Sequence, residues 1–150
     1  MTKILLLAAL ALLGSSPAFA QKKPAPKVKA KTAASGAGAP AALLPGKSVY
    51  TQNCLTCHQA DGGGVGGINP PLSKTSWVLG DKTRLVKVLL NGLQGQDIDG
   101  EPYNGVMPSH DFLTDQQIAD VLTYVRNSFG NKAVAVKAAE VKAVRAASKK

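Results

Sequence analysis

Cysteine is scarce in this chain: 150 residues hold only Cys54 and Cys57. No thiol therefore stands near the start of the chain for lipid attachment. Long apolar runs are scarce too. Ile4 to Leu13 is a run of ten, about half of the roughly 20 residues that a bilayer-spanning helix needs. No other segment is longer and as apolar, so no transmembrane helix is expected in the mature chain. Methionine occurs at 1 and 107, histidine at 58 and 110, and tryptophan once, at 77. Residues 61–67 hold five glycines, but no Lys-Ser/Thr follows and no strand precedes them, which excludes a phosphate-cradling loop.

Acids are half as numerous as bases, 9 against 18, and the imbalance is local. Residues 21–45 hold five Lys and no acid. Residues 46–130 hold six basic and eight acidic groups, a net −2. Residues 131–150 hold six basic groups and Glu140, a net +5. A nucleic-acid-binding domain would carry the basic patch on its folded part, so no nucleic-acid partner is expected. Basic tails fit peripheral contact with anionic lipid or with an acidic partner.

The first 20 residues read as an export signal: Lys3, the apolar run, then Ala18-Phe19-Ala20 as an A-x-A cleavage site. Cleavage after Ala20 and a periplasmic location are expected; a retained signal anchor is the alternative. Residues 21–45 are rich in Lys, Pro and Ala and offer too little apolar surface to offset ordering entropy, so they are expected to form a disordered tether. The folded domain is expected over 46–130, followed by a basic, partly helical extension over 131–150 that packs weakly.

The densest chemical signal is Cys54-Leu55-Thr56-Cys57-His58. C-x-x-C-H is the signature of covalent c-type haem attachment. Residues three apart share a helix face, so both thiols can bond one porphyrin edge while His58 ligates iron. A plain disulfide, a redox pair or a zinc site are the competing readings of C-x-x-C. Gly46, Tyr50 and Cys54 are four apart and line one face of a first helix, with Gly46 small enough to admit another helix. The glycine-rich stretch is expected to approach the haem edge. In Asn69-Pro70-Pro71-Leu72, the Pro70 carbonyl is an apt acceptor for the second ring nitrogen of His58. Trp77 either covers the haem or packs in the core.

Asp81 is expected to cap a helix over 82–91, ended by Gly92. Residues 92–106 are expected to be loop, with Tyr103 as a further haem contact. Met107, followed by Pro108, fits a second axial ligand; His/Met ligation raises the potential and favours electron transfer. Packing in the core is the alternative for Met107, and His110 is a competing ligand or a haem-edge residue. Thr114-x-x-Gln117 is a capping box for a helix expected to run to Phe129.

Together these residues resemble the class I c-type cytochromes of bacteria, over Gly46 to Gly130. The likeness rests on C-x-x-C-H after Gly46 and Tyr50, on Asn69-Pro70-Pro71-Leu72, and on Met107-Pro108 before a helix carrying Val121 and Tyr124. Asn69 stands where the family has Gly. The resemblance implies an all-α fold of about four helices around one covalently attached haem c. It implies haem contacts from Pro70 and Leu72, and iron ligation by His58 and Met107. The implied role is a one-electron carrier between redox partners, with a dehydrogenase or reductase as donor and an oxidase or reductase as acceptor. The Pro-Pro-Leu turn and Arg126 to Asn131 are similar to small cytochrome subunits of periplasmic dehydrogenases and copper-containing nitrite reductases. Two alternatives stand beside a carrier: a haem enzyme or sensor with a labile Met ligand, and a relay subunit of a membrane-associated complex. Because about 85 residues make a marginal core, folding and haem attachment are expected to be coupled.

Overall fold

The computed structural model describes residues 41–148. The expected signal segment and residues 21–40 of the tether lie outside the described residues. A 3₁₀ turn over 41–43 leads into α1, Leu44–Asn53. Helix α1 thus starts inside the stretch read as tether. Pro45 explains the early start, because a proline in the first turn sacrifices an N–H that has no helical partner anyway. The chain kinks at Cys54, which ends α1 and opens the short α2, Leu55–His58.

Helix α3, Ser76–Leu79, is capped by the Thr75 hydroxyl, which accepts from the Val78 N–H at 3.2 Å. Helix α4 spans Lys82–Asn91, and its Asp81 cap accepts from the Thr83 N–H at 2.7 Å. Helix α5, Asp115–Arg126, opens with both halves of the expected capping box. It stops three residues short of Phe129, which sits at φ 57.

The fold is all-α in class, with four helices of ten residues or more among the described residues. One local element departs from the expected loop. Gln96–Ile98 (β1) pairs antiparallel with Glu101–Tyr103 (β2). Asp99 and Gly100 both take positive φ, 54 and 89, as a type I′ hairpin turn demands. That Asp-Gly pair is a hairpin signal in its own right. Asp99 also ties the hairpin to α3, accepting from the Ser76 N–H at 2.9 Å.

Helices α1 and α5 cross at Gly46. A Cβ there would run into the Asp120 carbonyl and come within 2.7 Å of the Tyr124 Cβ. The crossing is filled by Tyr50, Tyr124 and Phe129, whose rings sit 5.3–5.7 Å apart, a spacing at which tilted and edge-on aromatic pairs attract. Leu85, Val86 and Leu90 of α4 join Ile118, Val121, Leu122 and Val125 of α5 in one core.

The C-terminal segment does not pack weakly, as expected of it. Helix α6, Ala138–Ser148, lies against α4 and α5. Val141 is fully buried, and Val136 is 5% exposed. Glu140 pairs with Lys82 and Arg145 with Asp115. The apolar stripe is narrow, but Ala138 and Val144, one turn to either side of Val141, pack on the same core.

Val141→Ala is expected to cost about 1–2 kcal/mol, as removal of buried methyl groups does. Val134→Ala, at a position 73% exposed, is expected to leave stability unchanged. Thermal melts followed by circular dichroism check both; equal melting temperatures for the pair would contradict the packing of α6.

Candidate functional site

The site is built where α1 gives way to α2. The Cys54 N–H still donates to Tyr50 O at 2.8 Å, and the His58 N–H donates to Cys54 O at 2.9 Å. The motif is therefore one turn of helix held from both sides. Tyr50 secures its exit: the phenol donates to Gln59 O at 2.6 Å, where Gln59 turns out of the helix at φ 64. Burial, with Cys54 next, raises the Tyr50 pKa, so the hydroxyl remains a donor. Cys54 is half-buried and Cys57 exposed, and both are free thiols. Burial, with Cys57 adding to it, pushes the Cys54 thiol up to about 11.

His58 is buried, and its Nδ1 lies 3.0 Å from Pro70 O. A carbonyl only accepts, so Nδ1 carries the proton and Nε2 keeps the lone pair. Burial lowers the His58 pKa; the Pro70 bond opposes this, and His110 adds to it. The neutral ring is the form that binds metal.

Pro70 is held in turn. The Gly64 N–H donates to His58 O at 3.2 Å, while a Cβ on Gly64 would fall 2.7 Å from Pro70 O and against Asn69 O. Gly64 also needs φ 67, which a side chain disfavours. The glycine-rich stretch was expected to meet the haem edge. Instead Gly64 packs on the Pro70 backbone and Gly62 on the Phe129 ring, and no residue of 61–67 lines the cleft.

The cleft comprises two adjoining hollows that share part of their lining. Cys54, His58, Pro70, Leu93, Ile98 and Met107 line both. Cys57, Tyr103, Val106 and His110 line one; Leu72, Trp77, Leu85, Leu89 and Val121 line the other. All eight residues singled out from sequence, Cys54, Cys57, His58, Pro70, Leu72, Trp77, Tyr103 and Met107, thus stand on one cleft. Met107 is half-buried and bridged to Leu93, with N–H···O distances of 2.9 and 3.0 Å in the two directions. His110 reaches the same cleft, its Nδ1 3.0 Å from Pro108 O. The Arg84 guanidinium lies 4.5 Å over the Trp77 ring, a cation–π distance.

Two residues outside the expected set position the cleft. Asn131 donates to Leu72 O and Val125 O, both at 2.8 Å, and accepts from the Lys74 N–H at 2.7 Å. It thereby pins the Pro-Pro-Leu turn to α5. Buried Arg126 donates to carbonyls of Val78, Gly80 and Val134 at 2.5–3.1 Å, satisfying the end of α3 beneath Trp77. In sequence the stretch stood out only by its likeness to cytochrome subunits, because the partners lie up to 59 positions away.

The donor set is one neutral imidazole, one thioether and two free thiols on a mostly apolar cleft. That set fits a c-type haem. A structural zinc site takes four ligands, and among the described residues no group of three or more His, Cys, Asp or Glu converges.

The cytochrome c family model matches residues 43–129. Cytochrome c-552 of Thermus thermophilus is 42% identical over 91 residues, covering 57% of this chain and 69% of that protein. The cytochrome c subunit of the quinone alcohol dehydrogenase of Gluconacetobacter polyoxogenes is 39% identical over 94 residues, 61% of this chain. The chain spans only 20% of that subunit's length. Subunit CcoP of the cbb3-type cytochrome c oxidase of Azospirillum sp. B510 is 33% identical over 108 residues, 69% of this chain and 36% of the subunit.

Gly64→Ala is expected to destabilise the protein by about 2–3 kcal/mol, through strain at positive φ and the collision with Pro70. Gly66 is the control. Nothing lies within 4 Å of the place a methyl group would take there, and Gly66→Ala is expected to be silent. Denaturant titration separates the two variants, and a silent Gly64→Ala would contradict the tight seat of Pro70.

Proposed function

We propose, because this chain belongs to the cytochrome c family, that His58 and Met107 are the axial ligands of its haem c and that it passes single electrons between protein partners without acting on a substrate. The haem, when bound, supplies a one-electron couple. The observation that carries the assignment is the His58–Pro70 bond, which fixes the proton on Nδ1 and leaves Nε2 as the ligating nitrogen. Cys54 and Cys57 would hold the haem by thioethers, and Leu72, Trp77 and Tyr103, which line the cleft, would pack against it. Met107 is placed by its backbone bridge to Leu93, on a segment that Pro108 stiffens. With His58 and Met107 both bound, the iron would keep no open position, so substrate chemistry is not expected.

This carrier would work in the periplasm after export. The positively charged start, the short apolar run and the A-x-A site support export, and among the described residues no helix is long and apolar enough to cross a membrane. Relatives named as subunits of a quinone alcohol dehydrogenase, a gluconate 2-dehydrogenase and an oxidase support a second reading, a relay serving such a complex. The donor would then be a dehydrogenase and the acceptor an oxidase or reductase.

Met107→Ala is expected to retain covalent haem, abolish the far-red sulfur-to-iron absorption band of the oxidised protein and lower the reduction potential. His110→Ala is expected to keep both the band and the potential. Absorption spectroscopy and potentiometry decide between the two residues: loss of the band in His110→Ala but not in Met107→Ala would overturn the assignment. Cys57→Ala is expected to leave one thioether and reduce the yield of haem-bearing protein, read by mass spectrometry.

A further inference from the structure

Two segments frame the hollow that Tyr103 and His110 line, residues 54–72 and 91–112, and neither contains a lysine or arginine. They hold five acids: Asp61, Asp97, Asp99, Glu101 and Asp111. The ten basic residues of 41–148 all lie elsewhere, on α1, α4, α5, α6 and the connections beside them. The tails, each carrying five net positive charges, conceal this asymmetry in the whole-chain value of +9.

The same segments carry exposed apolar surface. Ile68, Val106 and Phe112 are 53, 62 and 69% exposed. They are drawn together by the fold. The Gly105 N–H donates to Ile68 O at 2.9 Å, which sets Val106 beside Ile68. Val106 and His110 line the cleft, and the Phe112 ring lies 5.7 Å from that of His110. Clustered apolar exposure at a cleft marks a contact surface more often than isolated residues do.

Not all five acids are available to a partner. Asp99 is bonded to Ser76 and lies near Arg84. Arg145 donates to the Asp111 backbone carbonyl. The ion pairs among the described residues are Lys82–Glu140 and Arg145–Asp115, so Asp97 and Glu101 of the hairpin are tied into neither. Glu101 pairs with Ile98 in the hairpin and shares its face with Gln96, Ile98 and Tyr103, all of which line the cleft.

We infer that this face is an acidic, apolar-centred docking surface whose occupant is a redox protein presenting an apolar patch ringed by lysine or arginine. The inference deepens the electron-carrier reading and rests on it. An apolar centre with a charged rim is how transient interfaces combine contact with exclusion of wrong partners. At physiological salt, the influence of an exposed charge decays over about 8 Å. Approach to the cleft is therefore governed by the rim acids rather than by the tails.

The test uses the full haem-bearing protein, reduced, and two small oxidants of opposite charge. Tris(phenanthroline)cobalt(III) or hexacyanoferrate(III) each takes one electron, giving cobalt(II) or hexacyanoferrate(II) and oxidised protein. As sodium chloride rises from about 100 mM to about 1 M, over which the screening length falls from about 10 to about 3 Å, the cobalt reaction is expected to slow at least threefold and the hexacyanoferrate reaction to quicken. Asp97→Lys combined with Glu101→Lys is expected to flatten or reverse both slopes. A parent protein whose hexacyanoferrate reaction slows and whose cobalt reaction quickens over that range would overturn the inference, as would rates indifferent to salt.

An equilibrium measurement accompanies the rates. Hexaamminechromium(III) is expected to broaden amide resonances of Ile68, Val106 and the β1–β2 hairpin before others, and broadening centred elsewhere would also overturn the inference. The haem spectrum is recorded first. Its absence would defeat the electron-carrier reading itself, whereas a reversed salt response on haem-bearing protein defeats only the docking surface.

Discussion

The bond from His58 Nδ1 to Pro70 O, at 3.0 Å, is the constraint on which the rest of the site depends. As a contribution to stability it is small, since a net hydrogen bond is worth about 0.5–1.5 kcal/mol. Its importance is directional. It selects one tautomer of a buried ring and fixes that ring's rotation, which is how outer partners of metal-binding histidines act. Several features of the fold serve to hold its acceptor still. Proline limits the backbone at 70 and 71. Gly64 admits the Pro70 carbonyl where any side chain would displace it. Asn131 clasps Leu72 from the far end of α5. On the histidine side, Gly46 lets α1 meet α5, and Tyr50 anchors the chain as it leaves the motif.

Much of this was legible because the deciding interactions are local. The C-x-x-C-H spacing, the Asp81 cap and the Thr114–Gln117 box each occupy five residues or fewer, and each reports its own geometry. Gly46 and Tyr50 were readable as one helix face for the same reason. The placement of eight candidate residues on one cleft follows from these local rules joined by the likeness to a known family.

The parts that were not legible depend on partners distant in the chain. Arg126 looks like a solvent-facing helix residue until α3 and the stretch at Val134 supply carbonyls for its guanidinium. The glycines of 61–67 announced a close approach, expected to be to the haem edge, and the neighbours they meet are a backbone and an aromatic ring. Helix α6 was underrated because its stripe is narrow; two ion pairs and the core contacts of Ala138 and Val144 hold it where Val141 is buried. The β-hairpin is different in kind. Its Asp99-Gly100 turn was visible, but flanks of three residues are too short for alternation to show. Charge carries the same lesson. A strongly basic chain conceals a cleft mouth without a single basic residue, because the tails dominate the sum.

The central claim concerns one proton on one ring, and nitrogen-15 NMR of histidine-labelled, reduced, haem-bearing protein tests it most directly. His58 is predicted to show a slowly exchanging proton on Nδ1, with coupling across the hydrogen bond to the Pro70 carbonyl, and no proton on Nε2. A His58 ring protonated at Nε2, or at both nitrogens at neutral pH, would contradict it.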